Sequence, residues 1–299
     1  MRLWRMFLSL AVVLVLMVGC GISEAERESG AGKLKVAATI SVVQNLVEEV
    51  GGKRVEVSTI VPVGGSPETF QPKPSDAGRI SEAEVVFENG LGLEAWLHDL
   101  LQSAGNEEQT VVTLSEGLKP IDDDEHAQGN PHFWLDVANT EHYVKEIRDT
   151  LVEVDPKGAK EYRRNAEVYL ERLETLDDYI REQTVSIPEE RRKLVTFHDA
   201  FPYFAQAYGF DLVGVILQNP DAEPSSREVA DVVRKVEEER VPAIFTEPQF
   251  NAGLADTIAQ EARVEVYELY TDTLVKDEAG NTYEAMMRTN TDRIVEALR

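Results

Sequence analysis

A chain of 299 residues, 42% of them hydrophobic, has room for two ordinary domains with sizeable cores. Its 55 acidic residues against 30 Lys and Arg give a formal net charge of −25, which leaves no basic footprint for nucleic acid. The single cysteine, Cys20, excludes an intramolecular disulfide and a thiolate metal cage.

At the N-terminus, Arg2 and Arg5 precede an apolar run over 6–18 broken only by Ser9, and then come Gly19 and Cys20. A membrane-spanning helix needs about 20 apolar residues, so this run reads as the apolar region of an export signal. Gly19 followed by Cys20 resembles a bacterial lipobox, with Met17 where Leu is usual. Residues 1–19 are therefore expected to be cleaved, with Cys20 then acylated and the protein held at the membrane outside the cytoplasm; an uncleaved anchor is the alternative. Cleavage removes two arginines and no acid, so the mature chain is more acidic still. Residues 20–33, rich in Glu, Ser and Gly, read as a flexible tether.

Structure is expected from Leu34. Strands at 36–40, 55–61, 85–88 and 111–114 alternate with helices at 42–50, 75–83 and 93–104, a pattern that implies a parallel α/β sheet. Between them, 62–74 carries Pro or Gly at six positions around Glu68 and reads as a stiff, shaped loop. An acidic segment over 122–129 holds His126 and reads as a solvated loop. A helix over 140–154 then leads to the longest one, 155–183. There Tyr162, Ala166, Tyr169, Leu173, Leu176 and Ile180 fall in one stripe, with Asp155 placed to cap and Pro156 at the first helical position. Beyond it the pattern repeats, with strands at 194–197, 212–216, 243–246 and 264–269. The expected organisation is an N-terminal lobe over 34–154, a linking helix over 155–184 and a C-terminal lobe over 185–299.

Ligands of open parallel sheets bind beyond the carboxyl ends of the strands. That rule singles out Glu68, His132, His198 and Asp272, with Glu247 as a fifth candidate. The two histidines are 66 positions apart with no local metal spacing, and spacing alone favours satisfied structural histidines over a shared site. His98 and His142, on expected helices, read as surface residues.

Five longer words sharpen this reading: VPVGGSPETFQP at 61–72, NPHFWLD at 130–136, TFHDAFPYF at 196–204, FTEPQF at 245–250 and LYTDTL at 269–274. In this order they resemble the solute-binding lipoproteins of bacterial ABC importers for zinc and manganese, the periplasmic solute-binding protein family 9. The resemblance covers about 33–299. It implies two α/β lobes joined by a rigid helix, with one divalent metal ion held in the interlobe cleft by Glu68, His132, His198 and Asp272. It also implies a membrane permease as partner and a monomeric, non-enzymatic protein. Glu68 departs from the family pattern, which usually has His there, while His198 stands where manganese members often have Glu. The set keeps two imidazoles and two carboxylates with one of each exchanged between lobes. It leans to manganese or iron, with zinc a close alternative.

In this reading Glu247 supports a ligand, Phe133 and Trp134 pack under the site, and metal binding weakens below about pH 6 as imidazoles protonate. Two rivals are a metal-dependent enzyme, which would need an open coordination position, and a surface adhesion or scaffold lipoprotein whose metal site has degenerated.

Overall fold

The computed structural model describes residues 32–106, 108–122, 127–217, 224–250 and 252–299. The expected signal segment, the acylation site Cys20, most of the tether and His126 lie outside them. No helix among the described residues is long and apolar enough to cross a membrane.

Leu34–Arg299 forms one compact unit built on two four-stranded parallel sheets. The first contains β1 (Leu34–Ala38), β2 (Val55–Thr59), β3 (Val85–Glu88) and β4 (Thr110–Thr113) in the order β2-β1-β3-β4. Its helices are α1 (Ser41–Gly51), α2 (Pro74–Glu82) and α3 (Leu97–Ala104). Two antiparallel-packed neighbours follow in sequence, α4 (Val137–Val154) and the long α5 (Ala159–Val185). The second sheet contains β5 (Lys193–Thr196), β6 (Asp211–Val215), β7 (Ala243–Thr246) and β8 (Glu265–Glu268) in the order β6-β5-β7-β8. Around it lie α6 (Pro202–Tyr208), α7 (Ser226–Glu239), α8 (Ala252–Ala262) and the C-terminal α9 (Tyr283–Leu298).

Both sheets thus have the same topology, and each reverses its direction of winding between its two central strands, β1 and β3 in one and β5 and β7 in the other. That reversal opens a crevice beyond the strands' carboxyl ends, where the connections part to opposite faces. All eight expected strands are present, with ends shifted by at most two residues. The central strands β3 and β7 open on continuous apolar runs, VVF and AIF, because helices cover both faces of a parallel sheet.

The stripe on α5 is buried at all six expected positions and packs against α1, α4 and α9. It sits inside one apolar core that runs from Val36 and Phe87 of the first sheet through Trp134, Tyr143 and Tyr169 to Phe245 and Leu269 beside the second. Arg172 on α5 reinforces this junction by bonding Glu49 of α1 at 2.7 Å and Glu284 of α9.

The sequence reading needs three corrections. Asp155 precedes a 3-10 turn over Pro156–Gly158, and its carboxylate does not cap that turn. It instead receives Arg54 at 2.7 and 2.9 Å and the Tyr162 hydroxyl at 2.8 Å, since charge-assisted bonds outcompete a cap. The helix expected from 93 starts at Leu97, because Glu94 turns inward and accepts the backbone N–H groups of Asn89 and Gly90. Third, α9 was not among the expected elements.

Leu173→Ala, in the α5 stripe, is expected to cost about 2–5 kcal/mol in urea unfolding, whereas Val168→Ala on the exposed face stays within about 0.5 kcal/mol.

Candidate metal centre

The four expected residues arrive from four connections and meet in one place. His198 follows β5 by two residues, and Glu247 follows β7 directly, so they face each other across the winding reversal of the second sheet. Asp272 follows β8 by four. Glu68 and His132 do not adjoin strands closely: Glu68 lies within the loop after β2, and His132 opens a 3-10 turn, Phe133–Leu135, just before α4.

Glu68, His132 and His198 each offer a donor atom, all within 4.8 Å of one another. The two Nε2 atoms are 3.2 Å apart, and His132 Nε2 lies 3.6 Å from Glu68 Oε1. Asp272 Oδ1 approaches His132 Nε2 at 3.4 Å and His198 Nε2 at 3.7 Å. Both imidazoles and Asp272 are buried, and Glu68 is nearly so.

The far side of each ring fixes what the near side presents. Asn130 donates its Nδ2 to the Asp199 carbonyl at 2.6 Å, which orients its Oδ1 toward His132. That oxygen accepts from the His132 backbone N–H at 3.0 Å and from Nδ1 at 3.1 Å. His198 Nδ1 donates to Glu247 Oε1 at 2.7 Å. With both Nδ1 atoms protonated, each neutral ring turns a lone pair from Nε2 into the centre, the tautomer that a metal ion requires.

Without a metal ion, two lone pairs at 3.2 Å repel, and a proton between them relieves this. Burial disfavours a charged His198, but Glu247 and then Asp272 outweigh it and push the imidazole pKa up to about 10. Asp272 is held below the usual carboxylate range: burial opposes this, and the charge on His198 and contact with His132 overcome it. In the absence of a metal ion, His198 therefore carries a proton beside the carboxylates that face it.

The surrounding frame spans both lobes. Trp134, fully buried beside the His132 ring, donates Nε1 to the Thr271 carbonyl at 3.0 Å, tying the turn that carries His132 to the loop that carries Asp272. Phe133 stacks on Tyr203, whose hydroxyl donates to the Asn130 carbonyl at 2.7 Å. The expectation that these two aromatics underlie the site holds. The loop bearing Glu68 is fixed at both shoulders: Trp96 Nε1 donates to the Pro67 carbonyl at 2.8 Å, and the Gly64 N–H donates to Thr273 Oγ1 at 2.9 Å. Gly64 does so at φ +87°, a conformation that other residues rarely adopt. His98 pairs with Gln102 and His142 with the Glu116 carbonyl, both away from the centre.

Sequence reasoning missed Asn130 and Gln249 as working parts of the site. Both stand in the words NPHFWLD and FTEPQF, and an amide two residues from a candidate ligand or its support was the available signal.

A family model described as the periplasmic component A of a zinc-uptake complex matches residues 36–297. The chain belongs to this family. It is 36% identical over 289 residues to the manganese-binding lipoprotein MntA of Halalkalibacterium halodurans, covering 96% of both. It is 32% identical to the metal ABC transporter substrate-binding lipoprotein FimA of Streptococcus parasanguinis, over 97% of each. The periplasmic zinc-binding protein TroA of Treponema pallidum superposes with a TM-score of 0.83 at 27% identity, covering 89% of this chain and 99% of that one. A manganese-bound periplasmic metal-binding protein of Candidatus Liberibacter asiaticus superposes with a TM-score of 0.80 at 25% identity, over 89% and 100%.

In an NMR titration of the metal-free protein, His198 is expected to stay protonated through neutral pH and to lose its proton near pH 10. Because this pKa lies above the unfolded value, its contribution to metal-free stability is complete below about pH 6.5 and fades as pH rises toward 10. Glu247→Gln removes the leading charge that raises it, and the midpoint moves down.

Proposed function

We propose that this chain is the extracytoplasmic capture component of a metal ABC importer, taking one divalent transition-metal ion, manganese, iron or zinc, as cargo. Glu68, His132, His198 and Asp272 are its ligands, and a membrane permease is its delivery partner. The observation that carries this reading is the pair of imidazole Nε2 atoms 3.2 Å apart, both tautomers set by outer hydrogen bonds, with two carboxylates at hand. Such a cluster is costly to bury unless a cation occupies it. The two carboxylates balance a dication, and the imidazoles supply directed bonds.

Residues 1–19 act as the export signal, Cys20 carries the acyl chains and 20–33 is the tether. More than one chain gives stable attachment at the membrane surface. The lobes, 34–154 and 185–299, are joined by 155–184, and the protein works as a monomer. Its role is capture rather than catalysis, since the family serves metal uptake and all four donors face one centre. The adhesion alternative depended on a degenerate site, and Glu68 stands within ligand reach.

The test is elemental analysis of 34–299 after stripping and reloading with equal zinc and manganese. About one ion per chain is expected, lost in Glu68→Ala, and the ion retained names the preferred cargo. Retention of no ion by the unaltered protein overturns the proposal.

Loading also displaces the proton on His198. Apparent affinity is therefore expected to fall roughly tenfold per pH unit as pH drops, from near pH 10 downward and not only below pH 6. Calorimetry in buffers of differing ionisation enthalpy checks this as about one proton released per ion.

A further inference from the structure

Gln249 reaches three groups of the centre with one amide nitrogen. Its Nε2 lies 2.8 Å from Glu247 Oε2, 2.9 Å from Thr271 Oγ1 and 3.4 Å from Asp272 Oδ2. Thr271 uses its own hydroxyl proton on Glu247 Oε2, so its oxygen is left to accept from the amide. The reverse orientation would turn the amide oxygen onto two carboxylates. The observed one leaves Gln249 Oε1 buried without a hydrogen bond among the described residues, so the acids dictate the choice.

The consequence falls on Asp272. Its Oδ2 faces the Gln249 amide, while its Oδ1 faces both imidazoles, buried and without a hydrogen bond of good geometry among the described residues. The two oxygens of one carboxylate are thus assigned different tasks. Zinc favours four donors in a tetrahedron, one per residue, whereas manganese favours about six, often reached when carboxylates use both oxygens.

We propose that Gln249 is a positioning residue that holds Asp272 to one-oxygen contact with the cargo ion and thereby sets the balance between zinc and manganese in favour of zinc. This rests on the capture reading above. It gives a Glu-Pro-Gln word outside the ligand set a role in selectivity: the Glu orients His198, and the Gln restrains Asp272.

The experiment compares the unaltered 34–299 chain with Gln249→Met, which keeps the length and removes the donor. Dissociation constants for zinc and for manganese come from competition with chelating dyes, and the number of oxygen neighbours comes from X-ray absorption of the loaded proteins. Loss of such an outer partner typically weakens metal binding about 10–100-fold. Here zinc binding is expected to weaken by at least about tenfold and manganese binding by much less, so that the zinc-to-manganese ratio falls about tenfold. The manganese-loaded variant is also expected to gain an oxygen neighbour.

Equal weakening of both ions, or an unchanged ratio, overturns the role in selectivity while leaving metal capture intact. Failure of the unaltered chain to bind either ion overturns capture and this inference together. Should Gln249→Met lose its fold by circular dichroism, Gln249→Asn, whose amide is drawn back by one methylene, is read by the same ratio and decides in the same way.

Discussion

Two imidazole nitrogens are held 3.2 Å apart, each with its other nitrogen already committed, and much of the architecture serves to maintain that arrangement. Neutral rings so placed repel, and the buried carboxylates beside them attract positive charge. The centre is therefore suited to a cation: a proton at His198 or, in the function proposed above, a metal ion in its place. Each lobe contributes one imidazole and one carboxylate, so neither lobe holds the full donor set alone.

The winding reversal in each sheet supplies the supports in parallel ways. In the second lobe Glu247 stands at the reversal and accepts from His198, with Thr271 and Gln249 fixing its other oxygen. In the first lobe the buried Glu94 occupies the corresponding crevice, accepting from Thr39 after β1 and from Asn89 after β3. Burial pushes its pKa up to about 7. Asn89 in turn donates to the Pro131 carbonyl at 2.9 Å, next to His132. One carboxylate acts directly on its histidine and the other through the backbone beside it, from the same topological position.

Bonds between the lobes are numerous around this centre. Asn130 reaches Asp199, Trp134 reaches Thr271, Gly64 reaches Thr273, and the Leu274 N–H donates to Ser41 Oγ at 2.8 Å. Tyr283 on α9 donates its hydroxyl to the Trp134 carbonyl at 2.8 Å, and its backbone N–H donates to Asn45 on α1 at 2.9 Å. With one apolar core running through both lobes, wide separation would expose large aromatic surfaces such as Trp134, Tyr143 and Tyr283.

The sequence by itself determined the eight strands and the six-residue stripe of α5, because apolar periodicity and turn chemistry are local properties of the chain, whereas the grouping of Glu68, His132, His198 and Asp272 came from the resemblance of its longer words to a family. Through its words it also determined the family. Only the tertiary structure decided that Asp155 pairs with Arg54, 101 positions away, instead of capping its own helix, and that Glu94 turns inward and delays α3. It also decided which nitrogen of each imidazole faces the centre and how far the His198 proton is stabilised. Those outcomes depend on Glu247 and Asp272, brought within 4 Å of His198 from distant positions, and on Asp199, which orients Asn130 from 69 positions away; electrostatic energies in a buried site follow distances that no local pattern encodes.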